Sequence, residues 1–478
     1  MTSPLRSERL RRILVAYTVN RLGTWIGLLA LLAAVFDHTK SALAVSALLL
    51  AAEALPVFVV PALVARVEAS RRRRELSGLY AFEALATVAL AVLIISHFWL
   101  PAILLLAALD GTAALAATAL LRAEVARAAR EESAAIARSG PETATSEGAH
   151  AQHADASALA HEAERRANGA LSVASSVSFV LGPAIGGVVV AAAGAPTALF
   201  IDAASFLICG ALLLDLHPHV EEAEGDSVRA RLRAAWRHIN QAPALRALLT
   251  VETVALLFFE AGAPIEVTFA KATLDAGNRG LGLLLATWGI GGVLGSVTFA
   301  RFVHRPLGVL LTAGTALVGL GYIGLAAAPT LAVACVAGLI GGVGNGMQWP
   351  SFVSVVQRRT PPNLHGRLMG AIESLGSVSV AVGLPLGGAL VALSSTRAAF
   401  TAIGVGALAT TVALLRPAFA PAVSAHSLEA PTATDAGPAG EVPPAVSAHS
   451  LEAPAPHDAG PPGEVLGGVE LPRTPSPP

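Results

Sequence analysis

Apolar residues run along this chain in blocks of about twenty, the length that crosses roughly 30 Å of hydrocarbon as a helix. Twelve such blocks can be marked, at 13–36, 42–65, 76–97, 100–121, 168–192, 196–215, 247–270, 281–300, 307–327, 331–356, 368–393 and 397–415. Pro, Gly and charged residues punctuate the gaps. In lipid every backbone N–H and C=O must find a partner within the protein, so these blocks predict helices rather than open strands. The pattern predicts an all-α membrane protein of twelve transmembrane helices.

Composition agrees: 54% of residues are hydrophobic, 14% are charged, and the mean hydropathy is +0.64. A formal net charge of −1 offers no electrostatic argument for nucleic acid. Cys209 and Cys335 both fall inside apolar blocks and form no disulfide framework. The basic start (Arg6, Arg9, Arg11, Arg12) leads into a block too long for the core of a cleavable signal. Of the 32 Lys and Arg, Lys40, Lys271, Arg279 and Arg397 fall on one side of the bilayer and Arg21 inside the first block, which leaves all the others on the opposite side. The positive-inside rule therefore places both termini in the cytoplasm of a cell with a bacterial inner membrane.

The expected organisation is a cytoplasmic N-terminus (1–12), a first six-helix half (13–215), a cytoplasmic linker (216–246), a second half (247–416) and a tail (417–478). An Ala-rich insertion at 122–166 carries His150, His153 and His161. Without accompanying Cys or ordered acids these read as a solvated, partly helical segment rather than a metal site. The linker stretch from Val228 to Ile239 is basic with apolar residues at helical spacing, which suits the inner membrane surface. The tail repeats with a period of 23 residues, as Ala422-Val423-Ser424-Ala425-His426 returns at Ala445, and its Pro, Gly, Ala and Ser content predicts disorder.

Eight acids lie inside the blocks: Glu53, Glu83, Asp110, Asp202, Glu252, Glu260, Glu266 and Glu373. Each would cost about 2.5–3.5 kcal/mol at the centre of a lipid-facing helix. Most must therefore face a cavity, a partner or the membrane boundary. At about 100° per residue, Glu252, Glu260 and Glu266 fall within roughly a third of one helix surface. A carboxyl inside a membrane protein can take up and release protons and attract a cationic substrate. Glu53 and Glu260, near mid-membrane by residue count, are the first candidates for proton or cation coupling, followed by Asp110, Glu252, Glu266, Glu373 and Arg21. A structural role fits Glu83 and Asp202 better. Asn20, Trp25, Asn345, Gln348 and Trp349 are candidates for the cavity lining.

One stretch is written twice. Arg166 to Gly187 reappears at Arg367 to Gly388 with a constant offset, superimposing Gly169 on Gly370, Ser178 on Ser379, Gly182 on Gly383 and Gly186-Gly187 on Gly387-Gly388. A parallel repeat among hydrophobic spans is the internal symmetry of two-half transporters.

Gly169 followed by Gly182-Pro183-Ala184-Ile185-Gly186-Gly187 resembles the antiporter motif in the fifth helix of the major facilitator superfamily, with Ser178 where that motif usually has glycine. Gln357-Arg358-Arg359-Thr360-Pro361, running on to Gly366-Arg367-Leu368-Met369-Gly370, is similar to the loop between helices ten and eleven in the branch of macrolide-type and siderophore-type exporters. Ile201 to Phe206 resembles that branch's sixth helix. Between helices two and three, Val64, Glu68, Ala69 and Arg71 to Arg73 stand where the superfamily has its Gly-x-x-x-Asp-Arg-x-Gly-Arg-Arg gate, and Thr24 stands where relatives often carry an acid.

The resemblance implies a major facilitator fold and a secondary transporter exporting small lipophilic or amphipathic compounds by proton antiport with alternating access. It makes Gly169, Gly182, Pro183, Gly186 and Gly187, with the echo at Gly383, Pro385, Gly387 and Gly388, packing and hinge positions. Glu68, Arg71, Arg72, Arg73, Arg358 and Arg367 become the cytoplasmic gate. The expected partners are a small-molecule substrate, protons and the lipid bilayer, with a monomeric protein, no cofactor, no metal and no nucleic acid. No nucleophile elbow, zinc-protease helix or phosphate loop argues for an enzyme. The alternatives are a phospholipid or metabolite carrier of the same fold, and a non-transporting receptor or scaffold using the insertion and the tail.

Overall fold

The computed structural model describes residues 8–57, 59–60, 75–138, 146–214, 236–237, 239–360 and 364–415. Glu68, Arg71, Arg72 and Arg73, most of the linker and the tail lie outside the described residues, as do the side chains of Arg367, His150, His153 and His161.

Twelve helices cover the described membrane body: α1 (Glu8–Thr39), α2 (Ala42–Val57), α3 (Glu75–Ser96), α4 (Leu100–Arg138), α5 (Ser146–Ala193), α6 (Ala195–Leu212), α7 (Pro243–Thr268), α8 (Gly277–Arg301), α9 (Leu307–Ala327), α10 (Leu331–Arg358), α11 (His365–Leu393) and α12 (Thr396–Leu414). Eleven of these spans are long and apolar enough to cross a membrane, and Ala42–Val57 is shorter. The protein is an all-α, multi-pass membrane protein. Ser41, Thr330 and Ser395 cap the helices that follow them, accepting from the backbone N–H of Ala44, Val333 and Ala398, which satisfies donors a helix leaves free at its first turn.

Helices α4 and α5 outrun the expected spans and continue into the 122–166 insertion, to Arg138 and from Ser146. Ala, Glu and Arg are strong helix formers, so nothing stops either helix where its apolar stretch ends. Arg9 and Arg127 both pair with the buried Glu124, tying the α4 extension to the start of α1.

Two helices widen into π turns, at Leu50–Ala54 in α2 and at Phe269–Thr273 just after α7. Such turns add a residue without breaking the helix and recur at functional positions. Here they carry Glu53 and Lys271.

Packing follows the two halves. Helices α1, α3, α4, α5 and α6 pack among themselves, as do α7 to α12, while α5 meets α8 and α2 meets α7 and α11 across the divide. The apolar core mirrors this. One cluster joins both halves, including Leu29, Val45 and Leu199 from the first and Ile265, Leu284 and Leu384 from the second. Two further clusters hold only one half each: Leu10, Ile13, Leu120 and Phe206 in the first, and Leu248, Leu311, Val355 and Leu414 in the second. Those separate clusters lie near the start of α1 and α7. The halves are thus fused at the end marked by the C-terminus of α1 and have independent cores at the other.

Candidate functional site

The repeated glycines explain how the halves meet. In α5, a β-carbon at Gly182 would collide with Trp25, and one at Gly186 would lie 3.1 Å from the Ile26 Cα, so both face α1. One residue on, a β-carbon at Gly187 would lie 2.7 Å from the Asn278 carbonyl oxygen and 2.9 Å from the Gly282 Cα, so Gly187 faces α8 of the other half. The second copy does the same. Gly383 and Gly387 lie against the α7 backbone at Leu257 and Ala261, whereas Gly388 lies against Ser46 and Ala42 on α2. Gly182 and Gly186, like Gly383 and Gly387, therefore bring the helix onto the leading helix of its own half, and Gly187 and Gly388 let it touch the other half. Gly169 and Gly370 have no neighbour within 4 Å of such an atom. Pro183 and Pro385 sit inside their helices, and Pro183 lines the cavity described next.

Between the halves lies a cavity of about 190 Å³. Its walls carry three carboxyl residues, Glu53, Glu260 and Glu266, with Trp25, Phe179, Phe259, Trp288, Tyr322 and Asn345. The rings form two connected groups. Trp25 and Phe179 meet edge-on with centroids 4.7 Å apart. Trp288 lies 5.9 Å from Phe259 and 5.3 Å from Tyr322, whose hydroxyl donates to the Phe259 carbonyl at 3.0 Å. Gly341 and Gly262 leave room for the Trp288 and Tyr322 rings, since a β-carbon at either would collide with them. Among the described residues no Lys or Arg lines this cavity. An aromatic wall with carboxylates and no basic group suits an apolar or cationic guest.

A larger space of about 480 Å³ lies within the first half, lined among others by Arg21, Glu53, Asp110 and Asp202. Thr87 Oγ1 donates to Asp110 at 3.4 Å and Ser205 Oγ to Asp202 at 3.5 Å. Gly23 and Gly27 on α1 make room for the Asp202 carboxylate. Glu53 lines both cavities, so the π turn of α2 forms their common wall.

The remaining candidates separate. Glu252 and Gln348 are hydrogen-bonded to each other in a small space that Trp349 also lines. Asn20 is buried, and Glu83 is 1% exposed with neither carboxylate oxygen partnered. Glu373 and Arg358 are exposed and line none of these cavities. Phe179, Phe259, Trp288 and Tyr322 were not singled out by the sequence reading. The signal for Trp288 and Tyr322 was an aromatic residue inside a Gly-rich helix, where small neighbours open space for a ring. Lys271, expected in an outer loop, is instead nearly buried by the π turn at the end of α7.

The sequence model of the Major Facilitator Superfamily matches residues 156–305 and again residues 263–452. The chain belongs to the Major Facilitator Superfamily. Among curated members, the multidrug efflux pump Tap of Mycobacterium tuberculosis is 29% identical over 263 residues, 52% of this chain and 61% of that protein. The enterobactin exporter EntS of Shigella flexneri is 28% identical over 244 residues, 49% of this chain and 56% of that protein. The match thus spans little more than half the length of these superfamily relatives. Among solved structures, the nucleoside transporter NupG is similar with a TM-score of 0.63 at 12% identity, over 86% of this chain and 98% of that one. A bacterial homologue of the lysosomal transporter Spinster, solved inward-facing and unoccupied, gives 0.56 at 13% identity, over 88% and 96%. These two likenesses bear on the fold, which is the major facilitator fold.

Proposed function

We propose that this protein is a secondary transporter that exports small lipophilic or amphipathic compounds by proton antiport with alternating access. The observation that carries the reading is the cavity between the halves, where Glu53 from the first half and Glu260 and Glu266 from the second share one space with aromatic rings. The rings supply apolar contact, and the carboxylates hold either a proton or a cationic group, so the two compete for the same oxygens. That competition is what exchange requires. Similarity to Tap and EntS supports export as the direction.

Alternating access draws support from the core. A cluster shared at one end and separate clusters at the other is what an inward-facing transporter needs. The protein acts as a monomer in the bacterial inner membrane, with both termini cytoplasmic, and performs no covalent chemistry. The intramembrane charged residues Asp110 and Arg21, which line the first-half cavity, support coupling there. The Gly182 and Gly383 motifs serve as packing and hinge positions, and Arg358 and Arg367 belong with the 68–73 segment to the cytoplasmic gate.

The test is accumulation of macrolides, lipophilic cations and a siderophore in efflux-deficient bacteria expressing wild type or Glu260→Gln. Lower accumulation with the wild type, abolished by an uncoupler and absent in the variant, is expected. No change across the panel, with the protein confirmed in the membrane, would overturn drug export in favour of a phospholipid or metabolite carrier. Flux surviving Glu260→Gln would remove that residue from the coupling.

A further inference from the structure

The three carboxyls of the central cavity fall into two places. Glu53 and Glu260 come from opposite halves and lie near enough for their charges to act on each other. Glu266 stands six residues beyond Glu260 on α7, about 9 Å along the helix axis toward the end where the halves are fused. Each place has its own aromatic group. Trp25, edge-on to Phe179, lines the same two cavities as Glu53. At the other place, the charge of Glu266 acts on Tyr322 more strongly than that of Glu260 does, which sets Glu266 beside the Tyr322 and Trp288 rings.

The charges divide between the two places in the same way. Arg21, in the adjoining first-half cavity, acts on Glu53. With Glu53 and Glu260 both ionised, that place therefore holds a single excess negative charge. Glu266 carries the second, and among the described residues no other charged group acts on it. Lys271, at the end of the same helix, does not line the cavity and is paired with Asp37.

Among the described residues no group donates a hydrogen bond to Glu53, Glu260 or Glu266. Glu266 decides the matter. It is 6% exposed, yet it lines the cavity with its carboxyl unpaired. A buried carboxylate without a partner is costly. The cavity thus lacks two positive charges, and it lacks them at separate points.

We propose that the substrate class of this cavity is the flat aromatic dication, with one cationic nitrogen at Glu53 and Glu260 beside Trp25 and the other at Glu266 beside Tyr322 and Trp288. The inference rests on the transporter reading above and names its substrate. Ring faces attract the cationic ends and pack on the apolar spacer between them. A monocation fills one place and leaves a carboxylate bare at the other.

Methyl viologen and N-methyl-4-phenylpyridinium share a two-ring skeleton and differ by one charge, so they separate charge from shape. Their affinities for the purified full-length protein are measured by calorimetry. The dication should bind at least about tenfold more tightly, and Glu266→Gln should bring the two affinities to within about twofold of each other. A structural role for Glu266 would instead weaken both compounds and leave their ratio alone. Equal affinities in the wild type, or a preference that survives Glu266→Gln, overturn the proposal. If Glu266→Gln does not fold, Glu266→Asp, which draws the carboxylate back by one methylene, should reduce the preference several-fold, and an unchanged ratio would count against the assignment. In inverted membrane vesicles, uptake of N-methyl-4-phenylpyridinium with no advantage for methyl viologen would refute this inference alone. Uptake of neither compound and of no macrolide would refute the transporter reading with it.

Discussion

Lys271 Nζ lies 2.7 Å from Asp37 Oδ2, joining the end of α7 to the end of α1 across the two halves. The same ammonium donates to Asn278 Oδ1 at 2.6 Å and to the Ala33 carbonyl at 3.4 Å, and sits 5.9 Å from the Phe36 ring. The Lys271 side chain is 6% exposed and that of Asp37 43%, so solvent screens one partner and moderates the pair. Gly187, Gly282 and Gly388 seal the same end by backbone contact. Asp37→Asn should therefore loosen the seal by on the order of 1 kcal/mol, a several-fold change in the open population. Labelling of a cysteine at Leu32 by an impermeant maleimide added from that side, in a Cys209→Ser, Cys335→Ser background, should rise accordingly. Unchanged labelling would mean that glycine packing alone holds the closure.

The two classes of motif glycine should part company. A β-carbon at Gly187 meets backbone atoms of α8, which cannot rotate away, whereas one at Gly169 meets nothing. Gly187→Ala is expected to cost about 1–3 kcal/mol through overpacking and to suppress transport. Gly169→Ala should leave thermal stability unchanged or raise it by about 0.5–1 kcal/mol, because alanine has less backbone entropy to lose than glycine on entering a helix. Thermal unfolding in detergent alongside flux checks both.

Tyr322 presents its ring to the cavity but spends its hydroxyl on the Phe259 carbonyl. Tyr322→Phe should lower stability by about 1 kcal/mol, the typical net worth of one hydrogen bond, with substrate affinity nearly unchanged. A large loss of affinity would show that the hydroxyl turns to the substrate during transport. Gly341→Ala should do the reverse, pushing the Trp288 ring toward the cavity and weakening binding more than folding.

Glu373 separates intramembrane position from involvement. It lies within a hydrophobic span, yet it is exposed and lines none of the described cavities. Glu373→Gln is expected to keep flux within about twofold of wild type, while Glu260→Gln, on the central cavity, should lose it. Parallel flux assays at matched membrane levels decide the point, and equal losses would place Glu373 on the transport route.

Much of this protein was legible from its sequence. Spans of about twenty apolar residues, the imbalance of Lys and Arg and the repeat at Arg166 and Arg367 are set by the bilayer and by duplication, and both leave local, periodic marks. They determined a helical, two-half membrane protein; helical spacing set Glu252, Glu260 and Glu266 within about a third of one helix surface, and the structure puts Glu260 and Glu266 on the central cavity but Glu252 on a separate small space. What the sequence could not settle was which side chains meet across helices far apart in the chain. Only the tertiary structure put Glu53 and Glu260 on one cavity, turned Gly187 and Gly388 toward the opposite halves, and drew Lys271 from an expected loop onto Asp37. The physical reason is that helix rotation and tilt are set by packing against neighbours, and a π turn changes which residue faces where without leaving a mark in the hydrophobic pattern. Both charged residues brought to the divide by the turns, Glu53 and Lys271, owe their places to that change of phase.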